Sequence, residues 1–184
     1  MADICIGFEV HQPYRLNRQF SPVPEKKKDG LFDLYFDGLN KEILLRVADK
    51  CYNPATKIIL EKLDEGFSCA FSLSGIVIEQ LQKWSPDTLS LFEQVANHHN
   101  CELIGQTYYH SIAGCFGDKS EFIEQAKKHD LGSIERVVVA GEVLNPEVWS
   151  WLYNEVFSGK LPIFDHPLLS IPGYAILIRL CSKG

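Results

Sequence analysis

Two kinds of apolar pattern alternate along the first 130 positions. Residues 4–10 form a short run rich in β-branched side chains, which predicts a buried strand. Residues 67–73 and 101–107 are further runs of that kind. Between them the period is helical. Ile43, Leu44 and Val47 share a face over 41–51, with Asn40 placed to cap. Asn53 and Pro54 start a second helix that carries Ile58, Ile59 and Leu63 and ends at Gly66. Ile76, Ile78, Leu81 and Trp84 mark a third over 75–84, and Ser85-Pro86 opens a fourth, capped by Ser85, that runs to about His98. One more covers 119–129. Pro13, Pro22 and Pro24 break the backbone, so residues 12–37 read as a long loop whose Phe20, Phe32, Tyr35 and Phe36 predict partial packing.

Strands alternating with helices predict an α/β fold with a parallel sheet and helical crossovers. In such folds the active site gathers where the strands end. His11-Gln12, Ser72 with Ser74, and the stretch from Gln106 to His110 fall at the three predicted strand ends. A second segment begins near Asp130. Its strand candidates are 134–140, 161–164 and 174–180, and Asn145-Pro146 starts a helix through about Val156. No proline-rich linker and no internal repeat separates or divides the two segments.

Composition narrows the function classes. The chain has 184 residues, 46% of them hydrophobic and 23% charged, which suits one globular domain or a little more. A net charge of −6 favours neither nucleic acid nor an anionic membrane. The single basic run, Lys26-Lys27-Lys28, sits beside prolines and Asp29 and reads as a solvated loop. Asp3 follows almost directly on Met1, and no apolar run has the length of a signal peptide or a membrane helix, so a cytoplasmic protein is expected. Cys5, Cys51, Cys69, Cys101, Cys115 and Cys181 are scattered, without C-x-x-C spacing. They read as reduced, mostly buried thiols rather than as a metal site.

The candidate chemistry is that of a polyol site. His11 offers an imidazole, Gln12 an amide that can bridge sugar hydroxyls, and Tyr108, Tyr109 and His110 combine flat apolar faces with polar tips. Glu9 and Glu102 lie in or beside the strands, where a carboxylate has to be paired or hydrated. His98 and His99 stand at a helix end, a structural position for a cation.

The segment Gly7-Phe8-Glu9-Val10-His11-Gln12-Pro13-Tyr14-Arg15-Leu16 resembles the first signature of the family 57 glycoside hydrolases. Phe71-Ser72-Leu73-Ser74-Gly75 with Glu79-Gln80-Leu81 resembles that family's second-strand segment. Glu102-Leu103-Ile104-Gly105-Gln106-Thr107-Tyr108-Tyr109-His110-Ser111 resembles its second signature in the archaeal-type α-amylase branch. The resemblance covers about residues 4–128. It implies part of a (β/α)7-type barrel, retaining chemistry on α-glucans or maltooligosaccharides, no cofactor and no metal. It also implies that His11, Gln12, Tyr108 and His110 face the glucan. Retaining hydrolysis needs two carboxyl groups about 5–5.5 Å apart. The family takes both from later signatures, and neither Glu135 nor Glu142 lies in a matching motif, so no catalytic residue is assigned.

The remainder has another resemblance. Arg136-Val137-Val138-Val139-Ala140-Gly141-Glu142-Val143-Leu144-Asn145-Pro146-Glu147-Val148-Trp149, Leu161-Pro162-Ile163-Phe164-Asp165-His166 and Pro172-Gly173-Tyr174 are similar to the adenylate-forming acyl-CoA and acetyl-CoA synthetases. The phosphate loop, the Thr-Glu magnesium site, the ribose aspartate and the C-terminal lysine of those enzymes have no match. The expected organisation is therefore a barrel fragment over 1–129 and a short α/β segment of different origin over 130–184. Three readings follow: a truncated α-amylase-type hydrolase, a non-catalytic carbohydrate-binding or structural fragment, and a synthetase remnant.

Overall fold

The computed structural model describes residues 2–21, 30–128, 137–140, 146–151, 153–154, 163–166, 168–171 and 174–182. The basic run at 26–28, Glu135, and Gly141 with Glu142 lie outside the described residues, as do 134–136 and 155–156 at the edges of two predicted elements.

Strand β1 (Ala2–Val10) pairs in parallel with β2 (Cys69–Leu73), which pairs in parallel with β3 (Cys101–Leu103). Period-2 alternation splits this sheet into two chemical faces. Val10, Cys69 and Phe71 are buried in the core, and Phe8, Leu73 and Cys101 pack against them. Glu9 and its register partner Ser72 fall on the alternate positions, and so take the other face. Three parallel strands with helical crossovers give the α/β character expected.

The helical layer begins with α1 (Leu31–Tyr35), a single turn within the predicted loop, and α2 (Leu39–Val47). A π-helical turn over Ala48–Tyr52 then leads without interruption into α3 (Asn53–Asp64). Two separate helices were expected here. Pro54 lies in the first turn of α3, where a missing N–H is tolerated, and the wide turn before it takes up the register change. Asn40 does not cap a helix. It lies inside α2, 1% exposed, where its Oδ1 accepts from the Arg15 N–H at 2.8 Å and its Nδ2 donates to the Arg15 and Asp37 carbonyls at 3.0 and 2.8 Å.

Helix α4 (Gly75–Trp84) has the predicted bounds, and α5 spans Pro86–Ala96. The Ser85 hydroxyl caps neither helix. It lies 2.8 Å from the Thr88 hydroxyl, which in turn donates to Asn53 Oδ1 at 2.8 Å. Helix α6 covers Ser120–Lys128. The core joins Leu44, Tyr52, Leu63, Phe71, Leu81, Phe92 and Val95. Phe92 is its hub, with ring centroids 5.7 Å from Tyr52 and 6.0 Å from Phe71. The predicted loop packing is also present: Tyr14 meets Phe32, Phe36 and Trp84 at 5.1, 5.0 and 5.9 Å.

Strand β3 stops at Leu103, four residues before the predicted end. From Ile104 the backbone leaves the ladder, its last tie to β2 being the Ile104 N–H to the Phe71 carbonyl at 2.7 Å.

Beyond residue 128 the described elements are β4 (Val137–Ala140), α7 (Pro146–Trp151), β5 (Ile163–His166), β6 (Leu168–Ile171) and β7 (Tyr174–Ser182). β4 and β5 form a parallel pair. β7 runs antiparallel to β1 along Ala2–Glu9, and β6 pairs with β7, giving the order β3-β2-β1-β7-β6. The parallel three-strand unit is thus extended on its β1 side by an antiparallel pair, whereas β6 was not expected.

Candidate polar site at the strand ends

Because β1, β2 and β3 are parallel, their C-terminal ends lie at one edge of the sheet, and each delivers a polar group there. β1 gives way to His11. β2 gives way to Ser74, which takes the extended conformation of a helix N-cap before α4. Its hydroxyl makes no cap bond; it lies 2.8 Å from His11 Nδ1. A serine cap is ordinarily worth about 1 kcal/mol to a helix, and here that hydroxyl orients an imidazole instead. The Ser74 N–H donates to the Val10 carbonyl at 3.2 Å, which fixes the spacing of the two strand ends.

The stretch after β3 supplies the remaining groups. His110 stands 4.8 Å from His11, ring centroid to centroid. Its Nδ1 lies 2.6 Å from Glu9 Oε1 and 2.6 Å from Gln106 Oε1. Gln106 Nε2 donates to the Ser72 hydroxyl at 2.8 Å. Glu9, Ser72, Ser74, Gln106, His11 and His110 thus form one connected cluster across three strand ends. The His110 backbone has φ +50°, a left-handed conformation that non-glycine residues seldom adopt and that clusters at functional sites.

Burial dominates the electrostatics of His11. It holds the ring's pKa down at about 4, helped by His110 and opposed by Glu9. His11 is therefore a neutral hydrogen-bonding ring at neutral pH.

Tyr108 and Tyr109 form the flank. The Tyr108 hydroxyl donates to Glu79 on α4. A Cβ on Gly75 would lie 2.2 Å from the Tyr108 ring, so only glycine at 75 lets that ring approach α4. Burial, and then Glu79, push the Tyr108 hydroxyl up. Lys128 at the end of α6 lies 4.0 Å from the Tyr108 ring centre, donates to the Tyr109 hydroxyl at 2.7 Å and stands 3.7 Å from Glu79. Gln125, 4% exposed, anchors the same stretch by accepting from the Tyr109 N–H at 3.3 Å and the Ser111 hydroxyl at 3.0 Å.

Of the four sequence-predicted contact residues, His11 and His110 meet at the centre, and Tyr108 stands beside them against α4. Gln12 lies beneath the surface, 7% exposed, its backbone carbonyl accepting from the fully buried Gln80 amide. Glu102 is exposed on β3, outside the cluster of the two histidines. Sequence reasoning missed Gly75, Lys128 and Gln125, which act through contacts that no local spacing announces. It also left Glu79 within a motif without a role. Among the described residues no group of three His, Cys, Asp or Glu side chains could hold a metal ion, and no helix is long and apolar enough to cross a membrane. Cys69 and Cys101 are free thiols.

Residues 5–133 match the family model described as glycosyl hydrolase family 57. A protein of Methanocaldococcus jannaschii named "Putative alpha-amylase" is 39% identical over 128 residues, 68% of this chain and 27% of that protein. The acetyl-coenzyme A synthetase of Wolinella succinogenes is 40% identical over 42 residues, 23% of this chain and 6% of the enzyme. That of Brucella canis is 36% identical over 81 residues, 44% of this chain and 12% of the enzyme. The chain thus spans about a quarter of the first relative and a small part of the synthetases. No solved structure matches it.

Proposed function

The chain belongs to glycosyl hydrolase family 57, and from that membership we propose that it is an α-glucan-binding member, α-amylase-like by lineage, that binds maltooligosaccharides without cleaving them. The observation that carries the reading is the pair of imidazoles, His11 and His110, 4.8 Å apart at the parallel strand ends and backed by Ser74, Glu9 and Gln106. Imidazoles and amides arrayed beside Tyr108 and Tyr109 suit a polyol, whose hydroxyls need both donors and acceptors. Gln12 supports the floor, and Tyr108 holds the flank.

The non-catalytic half of the proposal rests on how the carboxylates are used. Retention requires two carboxyl groups, a nucleophile and a proton donor, about 5–5.5 Å apart. Glu9 is engaged by His110, and Glu79 by Tyr108 and Lys128. Both serve as hydrogen-bond partners of the site's own side chains.

Calorimetric titration with maltoheptaose, run beside a reducing-sugar assay on soluble starch, tests this. Weak binding without turnover is expected, with binding lost in His11→Ala. Absence of heat with every maltooligosaccharide tried would remove the glucan reading. Turnover that His11→Ala abolishes would show that the chain carries a working carboxylate pair.

A second inference concerns 130–184, which we assign to an origin in an acetyl-CoA synthetase. The 42-residue identity to the Wolinella succinogenes enzyme is short enough to lie within this segment and supports the reading; the Brucella canis match, at 44% of the chain, is longer than the segment itself. Lacking the phosphate and magnesium motifs, the segment is expected to give no thermal shift with ATP. A clear ATP-dependent stabilisation would make the synthetase remnant the better reading.

A further inference from the structure

His110 Nδ1 has two oxygen partners at the same distance, Glu9 Oε1 and Gln106 Oε1, each at 2.6 Å. The Gln106 amide alone does not decide which atom carries the proton, because its contact to the Ser72 hydroxyl at 2.8 Å could be reversed by turning the amide over. Glu9 decides it. An ionised carboxylate only accepts, so the nitrogen facing it has to donate. With Nδ1 bearing hydrogen toward Glu9, the Gln106 oxygen also becomes an acceptor, its amide nitrogen donates to Ser72, and the network is consistent from end to end. The tautomer of an imidazole is set by the bond its other nitrogen makes.

Three features show that this arrangement is built. Glu9 is 20% exposed on the polar face of β1, where its register partner is Ser72. Its carboxylate thus stands on the same face as the Gln106 anchor. His110 is held in a left-handed backbone conformation, which a non-glycine residue keeps only where its surroundings impose it. His110 is 46% exposed, so the ring is clamped at Nδ1 yet reaches the open side of the site.

We propose that Glu9, assisted by Gln106 and Ser72, is a positioning residue that locks His110 as the Nδ1–H tautomer, so that Nε2 presents a lone pair that accepts a hydrogen bond from a ligand hydroxyl. His11 differs, since its Nδ1 faces a hydroxyl that can donate or accept. The ligand class selected is a hydroxyl donor, and its identification as a glucan rests on the family reading above.

Long-range proton–nitrogen NMR of the full chain at pH 8.5, where an ordinary imidazole is neutral, reads the tautomer directly. The His110 resonances are identified by their loss in His110→Gln. The Nδ1–H form is expected, against the Nε2–H form that an unconstrained ring favours. Glu9→Gln replaces the obligate acceptor with an amide that can turn over and should loosen the preference for Nδ1–H, and Glu9→Leu should shift the population toward Nε2–H and weaken maltoheptaose binding about tenfold, the size of one lost hydrogen bond. A wild-type His110 in the Nε2–H form overturns the proposal, and this reading requires no variant at position 9 to fold. A wild-type Nδ1–H form unchanged by Glu9→Leu or Glu9→Ala also overturns it. If the tautomer behaves as expected while no maltooligosaccharide binds, the glucan reading fails and the positioning role of Glu9 stands.

Discussion

His11 sits where burial outweighs the pull of a neighbouring carboxylate, and its pKa falls from the ordinary 6.5 to about 4. On acidification the unfolded chain therefore takes up this proton before the folded one does. The stability that His11 contributes is present above about pH 6.5 and is lost as pH falls toward 4. Thermal melts between pH 7 and 4 should show that loss, and His11→Gln should flatten it; an equally steep decline in the variant would contradict the assignment. Asn40 is a second single-residue test. Its amide bonds both the N–H and the carbonyl of Arg15 and the carbonyl of Asp37, so Asn40→Ala should cost about 1–3 kcal/mol by removing these part-buried hydrogen bonds. Urea unfolding measures this, and a loss below 0.5 kcal/mol, as at a neutral surface position, would argue against the clamp. Gly75→Ala places a methyl carbon inside the Tyr108 ring, with an expected cost of about 1–3 kcal/mol of overpacking. At this scale the sequence showed which residues could do chemistry, because histidine, tyrosine and amide side chains stood at predicted strand ends. It did not show their partners. Asn40 looked like a cap because capping is local, whereas two of its three bonds go to Arg15, twenty-five positions away.

Among elements, legibility followed burial. Helix α4 was read to the residue because Ile76, Ile78, Leu81 and Trp84 repeat at helical spacing. Strand β1 was legible for its β-branched run. Strand β3 was overread: the apolar residues Leu103 and Ile104 continue the pattern, yet the backbone turns away so that Gln106 and His110 meet Ser72 and Glu9. Site geometry prevailed there over strand propensity. The π-turn between α2 and α3 was also invisible, since proline signals a break but not the wide turn that avoids one. The helical layer depends on its aromatic hub. Phe92 touches Tyr52 and Phe71, so Phe92→Ala should destabilise the chain by about 3–5 kcal/mol. A denaturation midpoint close to wild type would mean that the layer can collapse around the gap.

For the molecule as a whole, the antiparallel placement of β7 on β1 was not foreseen. Periodicity identifies strands but not their partners, and the parallel order of β1, β2 and β3 was inferred from the helices between them. β6 was missed although Pro172-Gly173 between two apolar runs is a hairpin signal. β7 covers the flank that β1 would otherwise present to another chain. A chain ending at residue 133 should therefore associate on size-exclusion chromatography where the full chain elutes as a smaller species; identical elution would show that β1 needs no cover. This pairing also has a temporal side. The register partners Ala2 and Ser182 are 180 positions apart in the sequence. At about 5–20 residues per second of synthesis, the first strand leaves the ribosome on the order of ten seconds before its mate exists. During that interval a nascent chain carries a bare β-edge, and its fate is decided by whatever holds that edge until β7 has been made.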